Sequence, residues 1–335
     1  MSKSKAMTSD AGVFLWMTYQ AMQKAGLDTA AIFASVNLPD EPPDFTVRRD
    51  NSTQHRFWVA AERISGDADI GLHIGGLMPS FRGQIMEYLF LSSPTFGEGL
   101  RRTIRYHHLL TDALRFELRI EGETAILSGL DHPVRHYQEC AIAIFLNFFR
   151  YVSENAFQPD AIWLQRQTGA TAEQYQAVYG CPVILDMPES CMHFPTALLQ
   201  RASPAAEPQL LKMHETVAER YLIDLQKRQL IDQIEHELGG LMEQGTLSID
   251  TVAEKLSKSP RALRAELQQI DTSFNDVVAA YRERLARRLL SRTRESLDQI
   301  VYLTGFSEPS AFARAFKRWT GETPTDYRRR KQHDA

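Results

Sequence analysis

The sequence predicts an α+β N-terminal domain, with helices around a small antiparallel sheet, followed by an all-α C-terminal domain of two helix-turn-helix units joined by a linker helix. Three observations predict it. Residues 247–267 and 297–319 repeat one pattern of short apolar-periodic helix, tight turn and second helix. Residues 274–292 run between the copies with no Gly or Pro. The first two-thirds of the chain mixes helical apolar periodicity with short alternating segments bounded by turn residues. The expected bounds are 11–225 for the first domain, 226–229 for a linker and 230–330 for the second, and 335 residues suffice for two cores.

In chain order, helices are expected over residues 10–25, 28–36 and 51–64, interrupted by the Pro-rich loop 39–43. Helices at 84–91 and 95–110 follow, the latter opened by Ser93, Pro94 and Thr95. Residues 114–120 and 124–130 alternate across Glu121 and Gly122, which signals a hairpin. Then come a helix at 135–153, a strand at 161–167, a helix at 172–179 ended by Gly180, and short strands at 183–186 and 191–194. A last helix at 207–225 carries Leu211, Ala218, Leu222 and Leu225 on one side, either as a homodimer seam or as packing against its own domain.

The second domain carries more information. Ile249, Val252, Ala253 and Leu256 form a buried stripe in the first copy, and Leu297, Ile300, Val301 and Thr304 repeat it forty-eight positions later. After the turns, Ser259 with Pro260 reads as a cap and first-turn proline, and Ser307 as the second cap. Leu263, Leu267 and Ile270 form one apolar face, and Phe312, Phe316 and Trp319 the other. Opposite them lie Arg261, Arg264, Ala265 and Gln268 in one helix, and Ser310, Ala313, Arg314 and Lys317 in the other. Small residues mixed with Arg, Gln, Ser and Lys suit a helix set deep in a major groove, where Arg pairs with guanine and Gln with adenine. The base-facing candidates are therefore Arg261, Arg264, Gln268, Ser310, Arg314 and Lys317. Nineteen linker residues at about 1.5 Å each give a rod of roughly 28 Å, comparable to the roughly 34 Å between major-groove faces one turn apart. Arg282, Arg284, Arg287, Arg288, Arg292, Arg294 and Arg318 are candidates for phosphate contacts. Basic residues on one exposed helix are usually only solvated; two copies in register with a rigid spacer argue for a double-stranded DNA partner.

Residues 247–330 resemble the DNA-binding domain of the AraC/XylS family of bacterial transcription regulators, most closely over 305–312 and 316–328. Two departures stand in the turns: Ser257 and Asp271 occupy positions where that family commonly has glycine, so a positive φ there would strain them. Residues 91–101 and 179–183 carry a looser likeness to the "arabinose-binding" type of N-terminal effector or dimerisation domain, over roughly 11–225. Met86–Phe90 is bulkier than the small-residue run of that branch, so ligand identity does not transfer. The resemblance implies promoter DNA, a small-molecule effector and RNA polymerase as partners, a role in activation, and the cytoplasm as location.

Charge agrees once it is divided. Net charge is −4, but residues 246–335 hold seventeen Lys/Arg against twelve Asp/Glu, a balance of +5, and the rest balances at −9. Cys140, Cys181 and Cys191 fit no metal or redox spacing, which favours a reducing compartment over disulfides or structural zinc. No secretory signal is visible in residues 1–10, which read as a disordered polar start. The longest apolar stretch, residues 140–149, contains Asn147 and is too short to span a membrane.

Catalytic patterns are weak. His107 and His108 point about 100° apart on a helix and do not easily face one ion. His132 and His136 lack an intervening Glu, and Gly71–Gly76 lacks the Lys-Ser/Thr of a phosphate loop. No metal, cofactor or enzyme activity is expected. Arg105, His108, Arg135 and His136, with Trp163, are the candidate effector-pocket residues. Two alternatives stand beside this reading: a regulator whose N-terminal domain serves only dimerisation or protein contacts, and a DNA-repair enzyme using the same reader.

Overall fold

Apolar periodicity sets where helices form, and the computed structural model shows where each buries its stripe. It describes residues 8–44, 46–79, 81–165 and 168–333. These divide into two units, one ending at Leu222 and the other beginning at Ile223. Most of the polar start expected at 1–10, and the end of the strand expected at 161–167, lie outside the described residues.

The first unit opens with β1 (Ser9–Asp10), α1 (Gly12–Lys24), α2 (Thr29–Ala34), β2 (Arg49–Asp50), α3 (Gln54–Ser65), α4 (Ile70–Leu77), α5 (Ile85–Ser92) and α6 (Phe96–Tyr106). It continues with β3 (Glu117–Glu121), β4 (Thr124–Ser128), α7 (Arg135–Val152), β5 (Ala161–Trp163), α8 (Ala172–Tyr179), β6 (Val183–Ile184) and β7 (Cys191–Pro195). β1 and β2 pair antiparallel with Asp10 opposite Arg49. The remaining strands form a sheet of order β3-β4-β7-β5-β6. The expected antiparallel sheet is in fact mixed. β5 and β6 run parallel, as two strands joined by a crossover helix such as α8 can, and the other pairs are antiparallel. The hairpin turns at Gly122 with φ 61°, and Gly180 ends α8 with φ 70°.

α7 is the axis of this unit. Phe145, Phe149, Ile142 and Ile144 are almost fully buried and join a continuous apolar core. The glycine cluster at 71–76 is not a loop but part of α4, packed on α7. A Cβ at Gly71 would collide with the backbone of His136, and one at Gly75 would sit 3.1 Å from Ala143 Cβ. Glycine is a poor helix former, so periodicity alone did not expose this helix; close approach to α7 is what the glycines serve.

α9 (Pro208–Glu243) runs well past the expected end at 225, and residues 226–229 are helical within it. No Gly or Pro interrupts residues 209–238, so nothing local stops it. Leu211 and Ala218, expected on one side, are buried in the first unit's core. A different stripe, Leu210, Met213, Val217 and Tyr221, is exposed.

The second unit begins in the later part of α9 and continues through α10 (Ile249–Lys255), α11 (Pro260–Gln269), α12 (Phe274–Arg292), α13 (Leu297–Leu303), α14 (Pro309–Thr320) and α15 (Pro324–His333). It holds two cores. Leu230, Ile234 and Leu238 of α9 pack with Val252, Leu263, Leu267, Val277 and Val278. Ala286 and Leu290 pack with Ile300, Val301, Phe312, Phe316 and Tyr327. α12 thus supplies its first half to one core and its second half to the other.

The two glycine departures fall in left-handed backbone, with Ser257 at φ 56° and Asp271 at φ 54°. Gly305, forty-eight positions after Ser257, has φ 68°. Each L-residue there costs about 1 kcal/mol. Ser257→Gly is therefore expected to raise unfolding free energy by about 1 kcal/mol in chemical denaturation. Gly305→Ala is expected to lower it, because its Cβ would sit 3.1 Å from Met242 Cγ and 3.3 Å from Arg282 Nη2. A neutral or destabilising Ser257→Gly contradicts the strain argument.

Candidate nucleic-acid interface

α11 starts where the sequence dictates. Ser259 Oγ accepts from the Ala262 amide at 3.1 Å, and Pro260 occupies the first turn, where no amide is needed. Leu263 and Leu267 are buried, which turns Arg261, Arg264, Ala265 and Gln268 to solvent. Lys258 is not on that face; it forms an ion pair with Glu266.

α14 follows the same logic with one change. Its cap residue is Glu308, not the expected Ser307, and it makes no side-chain cap; Pro309 takes the first turn instead. Phe312 and Phe316 are buried with Tyr327 against α12 and α13, and Phe306 packs edge-on to Phe312 at 5.6 Å. Ser310, Ala313, Arg314, Lys317 and Arg318 are exposed. Among the described residues, Arg261, Arg264, Gln268, Ser310, Arg314 and Lys317 make no side-chain hydrogen bond or ion pair. Their donors are presented to solvent on two helices anchored to α12.

The linker arginines separate into two groups. Arg282 is half-buried; its Nη2 donates to the Gly305 carbonyl at 2.8 Å and its guanidinium lies 4.7 Å above the Phe306 ring. Burial lowers its pKa below the ordinary arginine value. That side chain ties α12 to the turn between α13 and α14 and is not displayed for phosphate. Arg284 pairs with Glu235, and Arg287 with Glu283 at 2.8 Å. Arg288, Arg292, Arg294 and Arg318 are exposed without such partners among the described residues.

The five effector candidates do not converge. Arg105 is exposed and 3.4 Å from Glu219; His108 is exposed and bonds Asp112 at 2.8 Å. Arg135 Nη1 donates to Asp69 at 2.6 Å and lies 3.7 Å from Glu139. His136 is buried 3.1 Å from Glu139, whose other oxygen accepts from Tyr175 at 2.5 Å. Trp163 stacks on His193 with centroids 4.1 Å apart. Arg135 and His136 are thus engaged in holding α7 to α4 and α8, and none of the five lines the aromatic-walled cavity of the unit.

That cavity, about 210 Å³, lies between α1, α3 and α7, with β1 and β2 at its edge. Phe14, Phe57, Trp58 and Tyr137 supply its aromatic wall, and Asp10, Arg49 and Asp50 its charged groups. Asp10 is 4% exposed. Its Oδ1 accepts from Tyr137 Oη at 2.9 Å, while Oδ2 has no hydrogen-bond partner. Burial raises its pKa to about 6, against the lowering effects of Thr111, Tyr137 and Arg48. Sequence reasoning missed this site because Asp10 and Tyr137 are 127 positions apart; an Asp before an apolar helix signals only a cap. The three thiols are all buried, and burial pushes Cys181 up to about 11, Cys191 up to about 12 and Cys140 well above its ordinary value. None is a ready nucleophile near neutral pH.

Two helix-turn-helix units on one rod, each with a basic solvent face, define a DNA-binding transcription regulator. The family described as "Arabinose-binding domain of AraC transcription regulator, N-term" matches residues 26–203, and a helix-turn-helix domain family matches 252–330. The chain belongs to the AraC family of transcription regulators. It is similar to the ornithine utilization regulator of Pseudomonas aeruginosa, at 27% identity over 82% of each chain. An uncharacterized HTH-type transcriptional regulator of Mycobacterium tuberculosis is 24% identical over 93% of this chain and 94% of its own. The crystal structure of transcriptional regulator CdpR from Pseudomonas aeruginosa aligns over 94% of this chain and 98% of its own, at 19% identity and a TM-score of 0.45. No helix among the described residues is long and apolar enough to cross a membrane.

Two predictions follow from the charged groups. Arg282→Ala is expected to lower the denaturation midpoint and leave the slope of log affinity for DNA against log salt unchanged, whereas Arg288→Ala should reduce that slope by about 1 without affecting stability. For Asp10, the neutral acid is favoured in the folded state. Its contribution is therefore fully present below pH 3.8, the ordinary value, and is lost as pH rises through about 6. Between pH 4 and pH 8 the stability of the wild type relative to Asp10→Asn is expected to fall by up to about 3 kcal/mol; a flat difference contradicts it.

Proposed function

We propose that this chain is a sequence-specific regulator that sets α11 and α14 into successive major grooves of promoter DNA, under control of a small-molecule effector taken by the N-terminal unit. The observation that carries it is the pairing of two exposed, unpartnered basic faces with one shared α12. Arg261, Arg264 and Gln268 read one groove, and Ser310, Arg314 and Lys317 the next, while Arg288, Arg292, Arg294 and Arg318 hold phosphates. Membership of the AraC family supports activation through RNA polymerase as part of this reading. The exposed Leu210, Met213, Val217 and Tyr221 stripe supports pairing with a second copy.

The test is a footprint of the full-length protein on the DNA flanking its own gene, with a salt series. Protection of two adjacent major-groove faces per protomer is expected. Arg261→Ala or Arg314→Ala should cost about 1–3 kcal/mol of binding and relax specificity at one base. An equal loss on every sequence would instead place these residues on phosphate.

A further inference from the structure

The cavity between α1, α3 and α7 is opened by small residues set among large ones. Elsewhere α7 fills its surroundings with Ile142, Phe145, Phe148 and Phe149, yet it turns Cys140 and Ala141 toward this space. Phe14, Phe57, Trp58, Tyr137 and Ile144 wall it, and all five are buried. Leu15, Leu38, Thr53 and Gln54 are partly exposed, so the space meets solvent between α1, the segment after α2 and the start of α3. Close-packed interiors hold few spaces wider than a water molecule, and this one measures about 210 Å³. An apolar cavity of roughly 150 Å³ admits benzene, so one ring with a short substituent fits here.

The polar atoms of the inner wall are closed to a guest. Asp10 Oδ2 and Arg49 Nε are sealed from solvent. The Asp10 carboxyl accepts from Tyr137 at 2.9 Å and already feels the charge of Arg48, with Thr111 and Asn51 beside it. Trp58 Nε1 donates to Gln54 at 3.1 Å, Cys140 Sγ to the Gly71 carbonyl at 3.0 Å, and Thr18 Oγ1 to the Phe14 carbonyl at 2.9 Å. Asp50, Thr53 and Gln54 stand at the mouth, within reach of water. A charged group carried inside would lose its water and gain no partner, which is strongly unfavourable. An uncharged apolar body bears no such cost and gains hydrophobic and dispersion contact with the wall.

We propose that this cavity binds an uncharged, largely apolar small molecule, one aromatic ring with a short aliphatic substituent, and that this is the effector class of the regulator. The assignment rests on the reading that the N-terminal unit is effector-controlled, and it names the site and ligand class within that reading. The guest is held by the aromatic wall and selected by its size and its lack of charge.

The experiment uses the full-length protein and three probes of nearly equal shape: propylbenzene, 2-phenylethylamine as its ammonium, and phenylacetate. Thermal shift and calorimetry are run on the wild type and on two variants that fill the cavity from opposite walls, Ala141→Leu on α7 and Ala11→Leu before α1. Propylbenzene is expected to raise the midpoint of the wild type and to bind at least tenfold more tightly than either ion. Whichever filling variant folds should lose that binding. Equal or tighter binding of either ion, no binding of propylbenzene up to its solubility, or propylbenzene affinity unchanged in a folded filling variant overturns the proposal. Operator affinity with and without propylbenzene separates the site from the reading beneath it. Binding that the filling variants abolish, with operator affinity unchanged, keeps the site and overturns its role as effector site. If propylbenzene does not bind while a charged metabolite shifts both midpoint and operator affinity, effector control stands and this assignment is overturned.

Discussion

The DNA-reading unit depends on one shared helix. α12 gives Val277 and Val278 to the core behind α11 and Ala286 and Leu290 to the core behind α14. Each recognition helix has two or three buried anchors, too few to form an independent domain of any stability. Packed on opposite ends of one uninterrupted nineteen-residue helix, they become parts of a single object. The capping box of Ser273 and Asp276 fixes where that helix starts, and Thr293 ends it. Rotation or shift of one reader relative to the other would have to break a core.

The same constraint sorts the arginines. Arg282 faces a turn and is recruited into structure, bonding the Gly305 carbonyl and covering Phe306, while Arg284, though exposed, is paired with Glu235. Those turned away from both cores remain available to an anionic partner. A modest excess of basic charge in this region then suffices, because the useful charges are placed and the remainder are neutralised locally. Affinity in such a design comes from positioned contacts more than from bulk attraction.

The second unit was legible because its determinants are local. Helical stripes, Ser259 with Pro260, and the glycine-like turn at Ser257 all lie within a few residues of what they control. Even so, the sequence points to Ser307 as the cap of α14, and the structure gives that place to Glu308 without a side-chain bond. The first unit was less legible because its determinants are distant. α4 contains three glycines that periodicity treats as loop, and only the nearness of His136 and Ala143 on α7 explains them. Arg135 and His136 are effector-pocket candidates in the sequence, yet Asp69 and Glu139 claim them. The cavity joins β1, α1, α3 and α7, and no spacing in the sequence announces that Asp10 meets Tyr137.

If α12 makes the two readers one rigid unit, the spacing of their half-contacts on DNA is fixed. The most direct measurement is affinity for an operator series carrying insertions of one to ten base pairs between the two protected groove faces. The account predicts a steep loss for insertions near five base pairs, which turn the second face to the opposite side of the duplex. No recovery to full affinity is expected at ten, because the rod cannot lengthen by roughly 34 Å. Affinity that is indifferent to the insertion, or restored at ten base pairs, would contradict the shared-helix account.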